Sequence, residues 1–105
     1  MDLADKIRVG STLKPQGRGE FLSPDGCTCA MGAALDAIGR LTRDGERGRD
    51  ILIEQFPIVA TYVSHPSLSV PTTLLMACFL LNDRHGWTRE QIADFVESVE
   101  LQQPV

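Results

Sequence analysis

The clearest pattern of apolar and polar positions lies in the last third of the chain. Residues 74–81, Leu-Leu-Met-Ala-Cys-Phe-Leu-Leu, are apolar on every side, which predicts a buried central helix opened by Pro71-Thr72-Thr73. Asn82-Asp83-Arg84-His85 follows as a polar last turn, and Gly86 stands where a left-handed helix cap is needed. Trp87-Thr88-Arg89-Glu90-Gln91-Ile92 then combines a capping box, Thr88 with Gln91, and a hydrophobic staple, Trp87 with Ile92. In the closing helix Ile92, Ala93, Phe95, Val96 and Val99 form one apolar stripe, leaving Arg89, Glu90, Asp94, Glu97 and Glu100 to water.

Upstream the signals are shorter. Leu3, Ala4, Ile7 and Arg8 predict a brief amphipathic helix stopped by Gly10. Residues 11–26 are rich in Gly, Pro and polar side chains and read as an irregular arm. The strand-like stretch 19–23 and the Pro24-Asp25-Gly26 turn suggest a minor β-hairpin within residues 19–28. Residues 28–39 read as a helix capped by Gly39, whose Gly32, Ala33 and Ala37 would let another helix approach closely. A charged connection over 41–49 leads to two short helices divided at Phe56-Pro57, although the β-branched content of 58–63 also suits a strand. Residues 102–105 read as a frayed tail. The expected fold is mainly α: a compact single-domain bundle of about five short helices spanning 1–105, with a minor hairpin.

Composition narrows the function classes. A chain of 105 residues, 43% hydrophobic and 23% charged, can bury one core without metal or disulfide staples. Its net charge of −4 offers no general attraction to nucleic acid or an anionic membrane surface. The best basic run, Arg40, Arg43, Arg47 and Arg49, is interleaved with Asp44, Glu46 and Asp50 and reads as largely neutralised. Residues 72–100 have the outline of a helix-turn-helix, yet the second helix carries Glu90, Asp94, Glu97 and Glu100, which phosphates repel. Neither nucleic acid nor membrane is expected as a partner. The start of the chain lacks a basic, then apolar, leader, and the run 74–81 is far short of the roughly 20 residues that span a bilayer. With three cysteines, an odd number, these features suggest reduced thiols and a cytoplasmic protein.

The candidate chemistry centres on Gly26-Cys27-Thr28-Cys29-Ala30-Met31-Gly32, where a turn delivers two cysteines to a helix start. Free N–H groups and the helix dipole there favour a thiolate, so Cys29 is a candidate nucleophile with His65 or His85 as base. Cys27, Cys29 and Cys78 with His85 or His65 are candidate metal ligands. Against both readings, no second close ligand pair appears, and no strand pair follows to carry an oriented base. Burial of Cys29 and Cys78 as small core residues is the expected state. Asn82 or Asp83 is expected to bond back to the turn or to free N–H groups at Thr28 or Cys29, making Cys29, Gly32, Asn82, Asp83, Trp87 and Thr88 one structural junction.

Two of these segments carry a resemblance. Cys29-Ala30-Met31-Gly32-Ala33 and Asn82-Asp83-Arg84-His85-Gly86-Trp87-Thr88-Arg89-Glu90-Gln91-Ile92-Ala93 resemble small uncharacterised bacterial and phage proteins with a C-A-x-G-A helix start and a later N-D-x-x-G-W-[ST]-x-E-x-I-A segment. The similarity runs from about residue 20 to 100 and implies no activity. The function expected is a non-enzymatic protein-interaction or accessory module with an unidentified protein partner and no cofactor. Self-association would use 58–63 or the small-residue helix. The alternative is a cysteine-dependent enzyme or metal-binding protein centred on Cys29.

Overall fold

Five α-helices and one two-stranded antiparallel sheet make up residues 2–103, which the computed structural model describes. In chain order they are α1 (Asp2–Ser11), α2 (Ala30–Ala37), α3 (Gly45–Gln55), a 3₁₀ turn (Pro57–Ala60), β1 (Tyr62–Val63), β2 (Thr72–Thr73), α4 (Leu74–Asp83) and α5 (Arg89–Gln102). The architecture is mainly α with a minor hairpin, and the radius of gyration of 12.3 Å fits a single packed domain of this length. No described helix is long and apolar enough to cross a membrane.

Local chemistry accounts for the helix boundaries. Thr88 accepts from the Gln91 N–H at 3.1 Å while the Gln91 side chain accepts from the Thr88 N–H at 2.9 Å, completing the expected box. Thr73 and Asp44 cap α4 and α3 in the same way, through the Met76 and Arg47 amides. At the end of α2, Gly39 takes φ +71° and the amides of Gly39 and Arg40 return to the carbonyls of Asp36 and Leu35. That is the paired closure that a left-handed glycine permits.

The order of burial differs from the hydropathy reading. Residues 30–35 of α2 are all buried, whereas α4 buries Leu74, Ala77, Cys78, Leu81 and Asn82 but leaves Met76 exposed and Leu75, Phe79 and Leu80 half-exposed. The central element is therefore α2. Its small residues let other backbones close in on it from more than one side, which larger side chains cannot do.

Gly10 belongs to α1 and does not stop it. A methyl group on Gly10 would stand 1.8 Å from the Ala33 carbonyl oxygen, so α1 and α2 touch backbone to backbone. A methyl on Gly32 would stand 1.9 Å from the Phe21 carbonyl oxygen. The arm thus occupies another part of α2, and the small face expected to serve self-association is covered within the chain.

The hairpin is not at 19–28. There Thr28 makes only isolated bridges, parallel to Gln16 and antiparallel to Leu22. The Gly17 N–H donates to the Thr28 carbonyl at 2.9 Å and the Thr28 N–H to the Pro15 carbonyl at 2.9 Å, so the arm wraps the entry to α2 without extending as strands. The sheet forms instead between β1 and β2, with Tyr62 opposite Thr73 and Val63 opposite Thr72. The second short helix expected over 58–63 is limited to the 3₁₀ turn, because Tyr62 and β-branched Val63 pair with the β-branched Thr73 and Thr72 across the ladder. The pair Thr72 and Thr73 likewise forms a strand before α4 begins. In the expected tail, α5 continues to Gln102, and residues 104–105 lie outside the described residues.

Close approach gives the first prediction. Gly10→Ala and Gly32→Ala each force a backbone carbonyl to move and should cost about 2–3 kcal/mol. At Gly45 a new methyl meets nothing within 4 Å, so Gly45→Ala should cost under about 0.5 kcal/mol. Urea unfolding midpoints of the three variants measure this; equal midpoints would show that the contacts at α2 are not tight.

Candidate functional site

The cysteine junction is built as a helix cap. Cys29 precedes α2 in extended conformation and its Sγ accepts from the Gly32 N–H at 3.4 Å. Burial raises its pKa to about 11; the Gly32 and Met31 amides pull it down by less, and the charge of Asp83 adds to the rise. Burial pushes the Cys78 thiol higher still. A helix start would favour thiolate, but desolvation outweighs it here. Cys27 is half-buried.

The candidate bases lie elsewhere. His65 stands edge-on to Trp87 and Phe95, with ring centroids 5.1 and 5.4 Å away, and its Nδ1 accepts from the Ser67 N–H at 3.0 Å. His85 is exposed just past the end of α4. No hydrogen bond joins Cys29 to either ring. Among the described residues no three His, Cys, Asp or Glu side chains gather as a metal-ligand set, so Cys27, Cys29, Cys78 and His85 are not brought together as one.

Asn82 and Asp83 do anchor the junction, but through the arm and not through the α2 amides. The Asn82 Oδ1 accepts from Gln16 at 2.8 Å, and its Nδ2 donates to the Gly17 carbonyl at 2.9 Å and to Asp83 at 2.8 Å. The other Asp83 oxygen accepts from the Gly19 N–H at 3.0 Å. The Thr28 amide, the expected partner, is already taken by Pro15. A small polar recess of about 250 Å³ remains beside this network, lined by Gln16, Gly17, Arg18, Asn82, Gly86 and Trp87.

In helix α5 Glu90 and Asp94 stay exposed as expected, whereas Arg89 departs from the expected solvent-facing charges. Arg89 is only 8% exposed. Its guanidinium donates to the Thr28 hydroxyl at 2.8 Å, the Thr28 carbonyl at 3.4 Å, the Lys14 carbonyl at 2.8 Å and the Ser11 carbonyl at 3.2 Å. Burial lowers its pKa, yet a guanidinium stays protonated. Glu90, Asp94 and Glu97 converge on Arg8 of α1 at 3.2, 2.8 and 2.6 Å, and Glu100 accepts the Leu3 and Ala4 amides at the start of α1. The acidic face is thus a docking face for α1, which also places α1 where a DNA-reading helix would need open space.

An open cleft with both apolar and charged lining lies away from this junction, and neither motif pointed to it. It measures about 350 Å³ and lies between the arm, the start of α3 and one face of α4. Leu75 and Phe79, one helical turn apart, supply an apolar wall; the Phe21 ring lies 5.5 Å from the Phe79 ring. Phe21 is held by α3, because Gly48 has no side chain where that ring sits: a methyl there would be 2.5 Å from the Phe21 Cε2. Arg43, Gly45, Arg49, Gly19 and Glu20 complete the rim.

The basic run divides between two surfaces. Arg43 and Arg49 line the cleft, while Arg40, Arg47, Asp44, Glu46, Asp50 and Glu54 line a separate recess. The acids that neutralise the run in sequence line that recess and not the cleft. Among the described residues neither Arg43 nor Arg49 takes part in an ion pair. The signal in the sequence was the spacing of Gly45 and Arg49, one turn apart on one face, opposite Leu75 and Phe79 with the same spacing.

Comparisons with protein-family models, curated proteins and solved structures found no match.

Arg89→Met removes the donors from four buried or half-buried acceptors on Thr28, Lys14 and Ser11 and should destabilise by about 3 kcal/mol, read from urea unfolding. Arg89→Lys should recover only part, since one ammonium cannot span Thr28, Lys14 and Ser11 together. A loss under about 1 kcal/mol in Arg89→Met would show the tie to be minor.

The thiols set an alkaline limit. Both keep protons in the fold that the unfolded chain releases above about pH 8.5, so stability is full below that pH and falls as pH rises through it. Each contributes at most about 1.4 kcal/mol per pH unit, until about pH 11 for Cys29. Thermal unfolding from pH 7.5 to 10.5 should show this fall, flattened in Cys78→Ala, and an identical slope in the variant would refute the assignment.

Proposed function

We propose that the protein is a non-enzymatic protein-interaction module of bacterial or phage type, acting in the cytoplasm, which presents the cleft between the arm, α3 and α4 to a segment of a partner. The observation that carries this reading is a cleft that keeps half-exposed apolar side chains, Leu75 and Phe79, beside two arginines without ion-pair partners. Apolar surface left open next to fixed charge is what a recognition site needs.

The two segments that resemble small bacterial and phage proteins support the reading indirectly. Arg89 of the second grips Thr28 at the threshold of the first, and Asn82 and Asp83 hold the arm that leads to Phe21. These contacts hold in place the arm that brings Phe21 to the cleft. The competing reading, a cysteine-dependent enzyme or metal protein centred on Cys29, requires an ionised, accessible thiol, whereas burial holds this one neutral.

Selection of a displayed random-peptide library on the native protein tests the proposal. Enriched peptides should shift backbone amide resonances of residues 19–21, 43–49 and 75–79 in ¹⁵N-labelled protein. Absence of any enriched peptide, or shifts confined to other surfaces such as 61–64 and 98–103, would overturn it.

A further inference from the structure

The charge of the cleft specifies its occupant more narrowly. We infer that it takes an acidic peptide segment in which one carboxylate lies close to a bulky apolar side chain. This inference rests on the interaction reading given above.

The argument begins with the rim. Arg43 and Arg49 carry two positive charges and Glu20 one negative, so the lining is net +1 in a chain whose net charge is −4. The acids interleaved with those arginines line the neighbouring recess, so none of them stands in the wall of the cleft itself. The first turn of α3 opens at Gly45 on the same rim, where the Asp44 carboxylate caps the Arg47 N–H, so the positive charge of the cleft is that of Arg43 and Arg49. Because Gly45 carries no side chain, a ligand backbone or carboxylate can approach that turn directly.

The floor sets the second requirement. Leu75, Phe79 and the edge of Phe21 form an apolar surface in a volume of about 350 Å³, enough for one large side chain and its flanking backbone. Phe21 is only 6% exposed and tilted 43° to Phe79, so the pair forms a wall and not an open ring face on which a nucleobase could stack. A polyphosphate would also meet Glu20 and the overall negative charge of the chain, whereas a single carboxylate matches the +1 rim.

The test uses a fluorescein-labelled peptide of sequence Gly-Ser-Glu-Phe-Leu-Glu-Ser-Gly in fluorescence anisotropy at low and high salt. Binding should be saturable and should weaken about tenfold when both glutamates are replaced by glutamine, and again when the Phe-Leu pair is replaced by Ser-Ser. Gly45→Glu introduces a carboxylate into the cleft at a position where nothing stands within 4 Å, so the fold should be kept while acidic-peptide binding falls at least tenfold. Arg49→Glu should act likewise, and the variant should prefer the peptide with lysine in place of glutamate. Circular dichroism and melting temperature of both variants establish that they are folded. If the library selects cleft-binding peptides without acidic residues, or if folded Gly45→Glu binds the acidic peptide undiminished, this inference fails and the interaction reading stands. If no peptide binds the cleft, both fail. Saturable binding of ATP or oligothymidylate at the cleft, tighter than that of the peptide, would also overturn it.

Discussion

The buried guanidinium of Arg89 is the contact on which the arrangement of the chain depends. It sits at the first residue of α5, the positive end of that helix, where a cation is electrostatically disfavoured. Its stabilising contacts are therefore outside its own helix. One head group reaches the Ser11 carbonyl at the end of α1, the Lys14 carbonyl in the arm, and both the hydroxyl and the carbonyl of Thr28. The end of α1 is where a cation is welcome and where carbonyls lack intrahelical donors, so the same charge that α5 tolerates closes α1. Only a planar fork with five donors can do this from one position. Thr28 is in turn the residue that the arm bridges on both sides.

Backbone contact at α2 follows from that clamp. With α1 and the arm drawn toward Thr28, their carbonyls and glycines meet α2 at distances that exclude even a methyl group. Helix–helix pairs separated by large side chains can slide by repacking; a pair in backbone contact has little freedom to do so. The acidic face of α5 reinforces the same geometry along α1, through Arg8 in its last turn and the Leu3 and Ala4 amides at its start. Those exposed ion pairs contribute modestly, on the order of 1 kcal/mol or less each, but they select which face of α5 meets α1.

What the sequence made legible were rules that act within a few residues. The capping box at Thr88 and the left-handed glycines at 39 and 86 are local, and each appears in the structure at its expected position. The five-helix count and a minor hairpin also follow from periodicity and breakers. Arg89 and Glu100 were assigned to water because helical phase alone separates apolar from charged residues, and it carries no information on buried acceptors contributed by remote chain. The hairpin was sought where the turn signal is strongest, at Pro24-Asp25-Gly26, yet pairing formed where β-branched residues could face each other. The junction was legible as a cluster but not in its partners, since the Thr28 amide bonds to an arm that has no regular pattern.

The cleft was hidden for a related reason. Its walls come from an arm, a helix start and a helix face separated by 20 to 60 residues, and each is unremarkable alone. Counting charges along the chain treats Arg43, Asp44, Glu46 and Arg49 as neighbours, although Arg43 and Arg49 line the cleft while Asp44 and Glu46 line the recess beside it. Neutrality in sequence is then compatible with polarity in space. The contacts of Arg89 and Asn82 hold the arm, the arm carries Phe21 to its place against Gly48 and Gly32, and Phe21 completes the wall that faces Arg43 and Arg49 across the cleft.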